Sequence, residues 1–491
     1  MNNEQLTMNG ERRRFIHHSR FTIHYSLFFL ILLVAACATP PTTPVPPPTP
    51  IAQVTATSLI NPTPTLLPGL PTSTPTPRIS PTPTPTIPPT PTPAPAERLD
   101  TAVTEAAEGD FAAAAEELEL GLQQPDLLTA VQQSGGLLLL GQSYFADGSF
   151  EEAAAVFTDL ANRPDAPNET RFWLARALDA QIRRQEANEQ YRLYLEANPE
   201  MAAYVEPRIA ANWLALGDTA QAVTALEAAL TAPAHRLTQI DIRRQLAGLY
   251  LADGRTADAV AQYDAIRNAA RTEFTKGEMT YLAGQALLAA EDVAGAYGRF
   301  QTGVSQYPRA YESYLGLVQL VDAGEPVDSY QRGLVDFYAD VYEPAIAAFQ
   351  QYLAENPADV RPDAHLYLAW SYEALGNREA ALAQLKQLAE LDGAMAVLEE
   401  AKLWTRAGER ETAVQTYLAY LERFPDGNDA PFAAWQAAAV TEQLGDAGTA
   451  VTLYRQMAES YPDHEDAPEA LFRAGLLADE AEAFGFWQAA A

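Results

Sequence analysis

No set of side chains in this sequence has a spacing that would carry out a reaction or hold a metal ion. It contains no glycine-rich phosphate loop, HExxH zinc motif, nucleophile elbow or EF-hand loop. Three of the six histidines lie within the first 24 residues, and the other three, His235, His365 and His464, are far apart in the chain. The sequence therefore predicts no catalytic site, no metal site and no cofactor.

Acidic side chains outnumber basic ones, with 64 Asp and Glu against 32 Lys and Arg. Five of the basic residues but only two of the acidic ones precede residue 97, so the remainder of the chain has a formal charge of −35. A surface this negative repels nucleic-acid phosphates and anionic lipid head groups, so we expect no nucleic-acid partner. The charge is either an ordinary solvated surface or an attraction for basic partners.

The only cysteine, Cys37, follows a segment with the layout of an export signal. Four arginines at positions 12–20 precede an apolar run at 27–34, and two alanines come directly before Cys37. The apolar run is too short to span a bilayer comfortably. One cysteine excludes a disulfide within the chain, but a thiol is the best nucleophile available for forming a thioether. Lipid attachment is therefore the chemistry that Cys37 can support.

The sequence VAAC at 34–37 resembles the bacterial lipoprotein box. That resemblance implies a signal peptide at 1–36, cleavage before Cys37, and a lipid anchor that holds the protein on the extracytoplasmic face of a bacterial membrane. The alternative is an uncleaved signal anchor with an incidental cysteine. The sequence RRRFI at 12–16 also resembles a twin-arginine export motif, but the strongly apolar run favours general secretion.

Residues 37–96 are rich in proline and threonine, and 21 of the 36 prolines of the chain lie there. Proline fixes φ and removes a hydrogen-bond donor, which prevents helix and sheet and favours polyproline II. We therefore expect a disordered spacer that, at about 3.1 Å per residue, reaches on the order of 180 Å when fully extended. A ligand for a proline-binding module is the alternative.

A small residue recurs through the rest of the chain where two helices would cross. Most intervals are 32–39 residues, and an aromatic residue usually follows four positions later. Glycine marks the turn before most of these sites, and proline falls twelve positions after several of them. The small residues are Ala114, Ala153, Ala187, Ala222, Ala259, Ala296, Ala345, Ala381, Ala413 and Ala450.

The best example of this pattern is LLLLGQSYFADGSFEEAAAVFTDLANRP at 137–164, which resembles the tetratricopeptide (TPR) repeat. The resemblance implies an all-α fold, a right-handed TPR-like α-solenoid of about eleven helical hairpins. We expect repeats over 97–309, an irregular inserted helix at 310–325 where one interval is long, and repeats over 326–491 with the last one truncated. A bend in the superhelix and a degenerate repeat explain the irregular helix equally well.

In TPR solenoids the first helix of each pair lines the concave side, where peptides bind. By this resemblance, aromatic and basic residues at the inward positions are candidates for a binding groove, although any one of them could instead pack between neighbouring hairpins. Aromatic residues of this kind dominate binding energy at protein interfaces. The candidates are Phe172, Trp173, Arg176, Tyr330, Phe337, Tyr338, Tyr367, Trp370, Lys402, Arg406, Trp435 and Phe472.

Two families with different functions fit this interpretation. Lipid-anchored TPR proteins position protein or peptide partners in the bacterial cell envelope. The segments YQRGLVDFY at 330–338 and ALFRAGLL at 470–477 also resemble the superhelical region of soluble lytic transglycosylases, which act on peptidoglycan. That family needs a catalytic glutamate in a Glu-Ser context, and here Glu-Ser occurs only within repeats, at 312–313 and 459–460. If the chain is part of such an enzyme, its catalytic domain lies beyond residue 491.

Overall fold

The protein is described by a computed structural model that covers residues 93–490, apart from the side chains of residues 480 and 481. The predicted signal peptide, Cys37 and nearly all of the predicted spacer lie outside the described residues. The regular structure within 93–490 consists of 23 α-helices and two short 3₁₀ turns, with no strand. None of these helices is both long enough and apolar enough to cross a membrane.

The first twelve helices are α1 (Pro95–Glu108), α2 (Phe111–Leu122), α3 (Ala130–Asp147), α4 (Phe150–Ala161), α5 (Thr170–Ala180), α6 (Arg184–Ala197), α7 (Ala202–Ala215), α8 (Thr219–Ala229), α9 (Arg236–Ala252), α10 (Thr256–Ala269), α11 (Glu273–Ala289) and α12 (Val293–Gln306). The others are α13 (Tyr311–Asp322), α14 (Ser329–Tyr338), α15 (Tyr342–Glu355), α16 (Pro362–Ala374), α17 (Arg378–Leu388), α18 (Gly393–Ala407), α19 (Arg410–Arg423), α20 (Ala430–Gln443), α21 (Ala447–Ser460), α22 (Ala467–Leu477) and α23 (Glu480–Ala490). The first helix begins at Pro95, so the last two residues of the predicted spacer are helical.

Turns of two or three residues join 22 of these helices into eleven hairpins, and each hairpin packs on the next. The first helices of several neighbouring hairpins also touch each other, such as α3 with α5 and α14 with α16. This arrangement confirms the predicted solenoid of about eleven helical pairs. The remaining helix, α13, packs on both helices of the hairpin before it and makes fewer contacts with α14.

The recurring alanines lie where the two helices of a pair meet, as the sequence predicts. All ten are fully buried, with no exposed surface, and the aromatic residue four positions later is buried in every case where it occurs. The residue that faces this contact from the first helix of the pair is also small. A Cβ added to Gly141 would lie 2.4 Å from the ring of Phe157, and Gly284 and Gly333 face phenylalanine rings in the same way. Small residues on both helices therefore admit one large ring between them.

The turns within hairpins share one left-handed residue. Seven of the turn glycines have φ between +72° and +89°, where a side chain would be strained. Ile182, Glu291 and Asp340 occupy the same position in three other turns with φ of +62° to +64°. Proline ends several second helices, and Pro199, for example, lies two residues after the last residue of α6. The local rules that start and stop each helix therefore repeat along the solenoid.

The last hairpin differs from the others. Helix α23 begins at Glu480 and is 11 residues long. Trp487 packs against Gly475 of α22, where an added Cβ would lie 2.3 Å from the indole nitrogen. Phe484 is 72% exposed. The aromatic residues of α23 are thus divided between packing on α22 and solvent.

Candidate binding surface on the first helices

All twelve predicted groove residues lie on the first helices of hairpins, which together form a surface that we name the first-helix face. Helix α5 carries Phe172, Trp173 and Arg176; α14 carries Tyr330, Phe337 and Tyr338; α16 carries Tyr367 and Trp370; α18 carries Lys402 and Arg406; α20 carries Trp435; and α22 carries Phe472. Most of these residues fall into two groups that are far apart in the chain, and the remaining ones pack elsewhere.

The first group is the aromatic ladder, which we define as Phe337, Tyr338, Tyr367 and Trp370. Ring centroids of Phe337 and Tyr367 are 5.0 Å apart, and those of Tyr367 and Trp370 are 5.5 Å apart at 87°. The hydroxyls of Tyr338 and Tyr367 are 2.8 Å apart, so a hydrogen bond between them joins two neighbouring hairpins. All four rings are half-buried. Edge-to-face contacts of this kind hold aromatic side chains in fixed positions.

Tyr367 connects the ladder to the core. Its ring stacks on Phe349, which is fully buried, with centroids 5.6 Å apart and planes 6° apart. Burial, together with the hydrogen bond to Tyr338, raises the pKa of Tyr367, so its hydroxyl stays protonated and remains a donor at neutral pH. The arginine Arg309 lies over the ring of Tyr338, 5.2 Å from its centroid.

A buried carboxylate extends the ladder onto the next repeat. Glu399, on α18, is 8% exposed and accepts a 2.9 Å hydrogen bond from the indole nitrogen of Trp370. Its other oxygen lies 2.8 Å from Nζ of Lys402. Arg406 makes two hydrogen bonds, of 2.8 and 2.7 Å, to Glu373 of α16. Sequence analysis missed Glu399 because acidic residues are frequent everywhere in this chain and only the fold shows which one is buried.

Tyr330 was predicted to line the groove, but the structure places it in the core. It is 4% exposed and packs against Phe349 and Tyr352, with its hydroxyl donating a 2.6 Å hydrogen bond to Asp363. Burial and that hydrogen bond raise the pKa of Tyr330. The residue lies on the side of α14 that faces its own second helix, so it belongs to the core and offers no ring to a ligand.

The second group lies at the first three hairpins and forms the N-terminal cleft, a cleft of about 540 Å³. Val103 and Ala107 of α1, Phe145 and Ser143 of α3, and Trp173 and Arg176 of α5 are among the residues that line it. The ring of Phe145 lies 5.6 Å from that of Trp173. Sequence analysis did not name Phe145, although it lies eight residues before Ala153, the same spacing that separates the candidate Phe337 from Ala345.

Besides Tyr330, three candidates lie outside both the N-terminal cleft and the aromatic ladder with its continuation on α18. Phe172 packs toward its own second helix, with its ring 5.9 Å from Tyr191 and 5.4 Å from Tyr194, so it is a packing residue. Trp435 lies half-buried against Tyr454, at 5.3 Å between centroids. Phe472 is 44% exposed on α22. Neither Trp435 nor Phe472 contacts a ring of the aromatic ladder.

The described residues contain no group of three His, Cys, Asp or Glu side chains able to hold a metal ion. His235, His365 and His464 lie on different hairpins or between them. The Nδ1 atom of His365 is 2.8 Å from the side-chain oxygen of Gln384, which is a local contact between two helices of one pair.

Comparison with known protein families identifies one repeat of the solenoid. The family model described as tetratricopeptide repeat matches residues 363–392, which span α16, α17 and the turn between them. The comparison with curated proteins gives no match.

Three solved structures are similar to this chain at low identity and low overall superposition. A structure of Naa15/Naa10 bound to HypK-THB is 14% identical, covers 80% of this chain and 75% of its own, and has a TM-score of 0.32. A thermophilic TPR protein of Thermus thermophilus is 23% identical, covers 40% of this chain and 100% of its own, and has a TM-score of 0.25. The apo form of the quorum sensor NprR from B. thuringiensis is 14% identical, with coverages of 60% and 87% and a TM-score of 0.29.

The matched repeat contains the buried Ala381 and the left-handed glycine Gly376 in a turn of three residues, and most other hairpins have an equivalent buried alanine and turn glycine. The chain is therefore an α-helical repeat protein whose hairpin at 363–392 matches the tetratricopeptide repeat.

Proposed function

We propose that this protein is a scaffold, anchored to the extracytoplasmic face of a bacterial membrane, that binds protein or peptide partners of the cell envelope through its first-helix face. The observation that carries this proposal is the aromatic ladder and its continuation to Glu399, Lys402 and Arg406. These side chains come from three successive first helices. Hydrogen bonds and ring contacts join the rings, Glu399 and Lys402 to one another, and Arg406 bonds to Glu373 of α16 beside them.

Such a surface suits binding for two physical reasons. Half-buried rings fixed by their neighbours lose little conformational entropy when a partner covers them, and aromatic and arginine side chains supply most of the energy at protein interfaces. The ladder also spans several repeats, so an extended partner could contact all of them at once. No group in it has the arrangement of a catalytic nucleophile and base.

The membrane anchor is supported by the sequence at its N-terminal end. Cys37 is the only cysteine, and it directly follows the apolar run and two alanines. The proline- and threonine-rich segment after it is long enough to carry the solenoid away from the membrane surface. A lipid on Cys37 would therefore fix the protein to the membrane while leaving the first-helix face available to partners.

The binding test is a crosslinking pull-down from membranes with the Trp370→Ala variant. This change removes both a ladder ring and the hydrogen bond to Glu399, and we expect the recovery of the crosslinked partner to fall severalfold. The control is Leu193→Ala, which removes an apolar side chain that is 37% exposed on α6, a second helix outside the first-helix face. Circular dichroism of both variants should match that of the parent protein. Equal recovery with both variants would contradict the proposal.

The anchor has a separate test. Cys37→Ser removes the thiol, so we expect the protein to leave the membrane fraction, and unchanged retention would refute the lipid anchor. A cleared band on a peptidoglycan zymogram of the full-length protein would instead support the alternative, in which this solenoid accompanies a lytic transglycosylase.

A further inference from the structure

Three neighbouring helices, α9, α11 and α13, begin with exposed apolar and basic side chains. Leu237 is the second residue of α9 and 63% exposed, Phe274 is the second residue of α11 and 60% exposed, and Tyr311 is the first residue of α13 and 48% exposed. Exposed arginines accompany them, with Arg236 beside Leu237 and Arg271 three residues before Phe274. We name this surface the basic apolar edge and define it as Arg236, Leu237, Arg271, Phe274, Lys276 and Tyr311.

Contacts between these helices place their first turns side by side. Arg244 of α9 makes two hydrogen bonds, of 2.6 and 2.7 Å, to Glu278 of α11. The backbone N–H of Arg309, two residues before α13, donates a 2.8 Å hydrogen bond to Glu273, the first residue of α11. The exposed side chains of the edge are therefore neighbours on one surface, and a contiguous apolar surface of this kind marks an interaction site.

The charge of this surface is opposite to that of the whole solenoid. Residues 235–244, 271–278 and 309–314, which contain the first turns of the three helices, have six Lys or Arg and four Asp or Glu, a formal charge of +2, whereas the chain after residue 96 has −35. Neither Arg236 nor Arg271 pairs with a carboxylate among the described residues. Exposed charges more than about 8 Å away are largely screened at physiological salt. The edge thus attracts anions although the solenoid as a whole repels them.

We propose that the basic apolar edge docks on an anionic lipid bilayer, so that the solenoid lies against a membrane surface. Leu237, Phe274 and Tyr311 enter the boundary between head groups and acyl chains, while Arg236 and Arg271 pair with lipid phosphates. Charge complementarity selects an anionic partner. The exposed aliphatic Leu237 favours lipid over nucleic acid, because it offers no ring on which a base stacks.

This proposal goes beyond the proposed function, in which a lipid on Cys37 is the membrane contact. It is tested on the full chain without that lipid. Cys37 is the only cysteine, so a chain with Cys37→Ser and Phe274→Cys takes a nitrobenzoxadiazole fluorophore at one position of the edge. The probe membranes are vesicles of phosphatidylcholine, alone or mixed with an equal amount of phosphatidylglycerol. The matched control is Leu193→Cys in the same background, because Leu193 is 37% exposed on the second helix α6.

We expect the fluorophore at position 274 to shift to shorter wavelength with the anionic vesicles, and the one at position 193 to stay unchanged. Adding Arg236→Gln and Arg271→Gln should raise the lipid concentration for half-maximal response roughly twentyfold, because each basic residue near an anionic surface contributes about fivefold in affinity. Arg410→Gln with Arg455→Gln removes the same total charge from exposed positions on the second helices α19 and α21, and should leave the response unchanged. Circular dichroism should show the same helicity in all variants.

Several results would overturn the proposal. These are no shift at position 274, an equal shift with phosphatidylcholine alone, or an unchanged response after Arg236→Gln and Arg271→Gln. A response to oligothymidylate or polyglutamate as strong as that to anionic vesicles would also overturn it, because the edge would then bind polyanions of any kind.

Failure of this proposal and failure of the proposed function can be told apart. High salt weakens the contact of the arginines with lipid, so release of the Cys37→Ser protein in a high-salt wash reads the lipid anchor by itself. Partner recovery with Trp370→Ala reads the aromatic ladder, which lies on later helices. Both results can stand when the fluorophore on the edge gives no shift.

Discussion

The clearest test of the packing uses two glycines of one helix, Gly141 and Gly135, both in the 18-residue helix α3. A Cβ added to Gly141 would lie 2.4, 2.6 and 2.8 Å from three ring carbons of Phe157, a fully buried residue of α4. Those distances are well inside van der Waals contact, so the ring or the helix must move. Overpacking a core in this way costs roughly 1–3 kcal/mol.

Gly135 provides the matched control, because a Cβ added there meets no atom within 4 Å. Glycine to alanine inside a helix stabilises by about 1 kcal/mol, and this gain applies to both positions. We therefore expect Gly135→Ala to stabilise the protein by about 1 kcal/mol. The Gly141→Ala variant should be about 1–3 kcal/mol less stable than the Gly135→Ala variant, because it has the same helical gain but also the clash with Phe157.

The assay should read local stability, since a solenoid can open one repeat at a time. Hydrogen exchange of the amides in α3 and α4, followed by mass spectrometry, gives the free energy of opening for that hairpin. A double variant, Gly141→Ala with Phe157→Leu, should recover part of the loss by shortening the opposing side chain. The reasoning is refuted if Gly141→Ala stabilises the hairpin as much as Gly135→Ala does.

Two further predictions concern a buried charge and a strained turn. Asp336 is 3% exposed, and burial raises its pKa from 3.8 to about 6, although Arg332 opposes the rise. The folded state thus binds the proton more tightly than the unfolded state, so the protein loses stability as pH rises from about 4 to 6. One pKa unit corresponds to about 1.4 kcal/mol, so Asp336→Asn should stabilise the protein by up to about 3 kcal/mol at pH 8 and by almost nothing at pH 4. Thermal unfolding at the two pH values measures this difference. Ile182 has φ of +64° and is 68% exposed, so its left-handed backbone is strained and its side chain contributes little packing. Ile182→Asn should therefore stabilise the hairpin of α5 and α6 by about 1 kcal/mol, measured by hydrogen exchange. A loss of stability would show that Ile182 is not strained.

The hairpins could be predicted because the residues that define them are set by local geometry. Ala153 recurs in equivalent form because two helices that cross closely leave room for a methyl group, and Gly148 recurs because the turn needs a left-handed residue. The same rule failed to identify the turns at Ile182, Glu291 and Asp340. Those three residues reach the left-handed conformation at a cost in energy that the surrounding helices must offset, and the residue types alone do not show it.

The candidate site was harder to predict because periodicity gives the helix that carries a residue but a weaker indication of what that residue touches. Tyr330 and Phe337 are seven residues apart on α14, and both resemble groove positions. A small rotation of the helix buries Tyr330 at 4% exposure and leaves Phe337 half-buried against Trp370. Glu399 and Ser143 could not be found at all, because their burial depends on neighbouring repeats.

The sequence by itself determined the class of fold, the number of hairpins and the helices that carry the candidate binding residues. Each of these follows from contacts within about 34 residues of chain, which one repeat contains. Only the tertiary structure decided that Trp370 meets Glu399, that Tyr338 meets Tyr367, and that Arg176 lies over the ring of Phe145. These contacts join different repeats, so they depend on how far each hairpin is rotated against the next, and no single repeat encodes that angle.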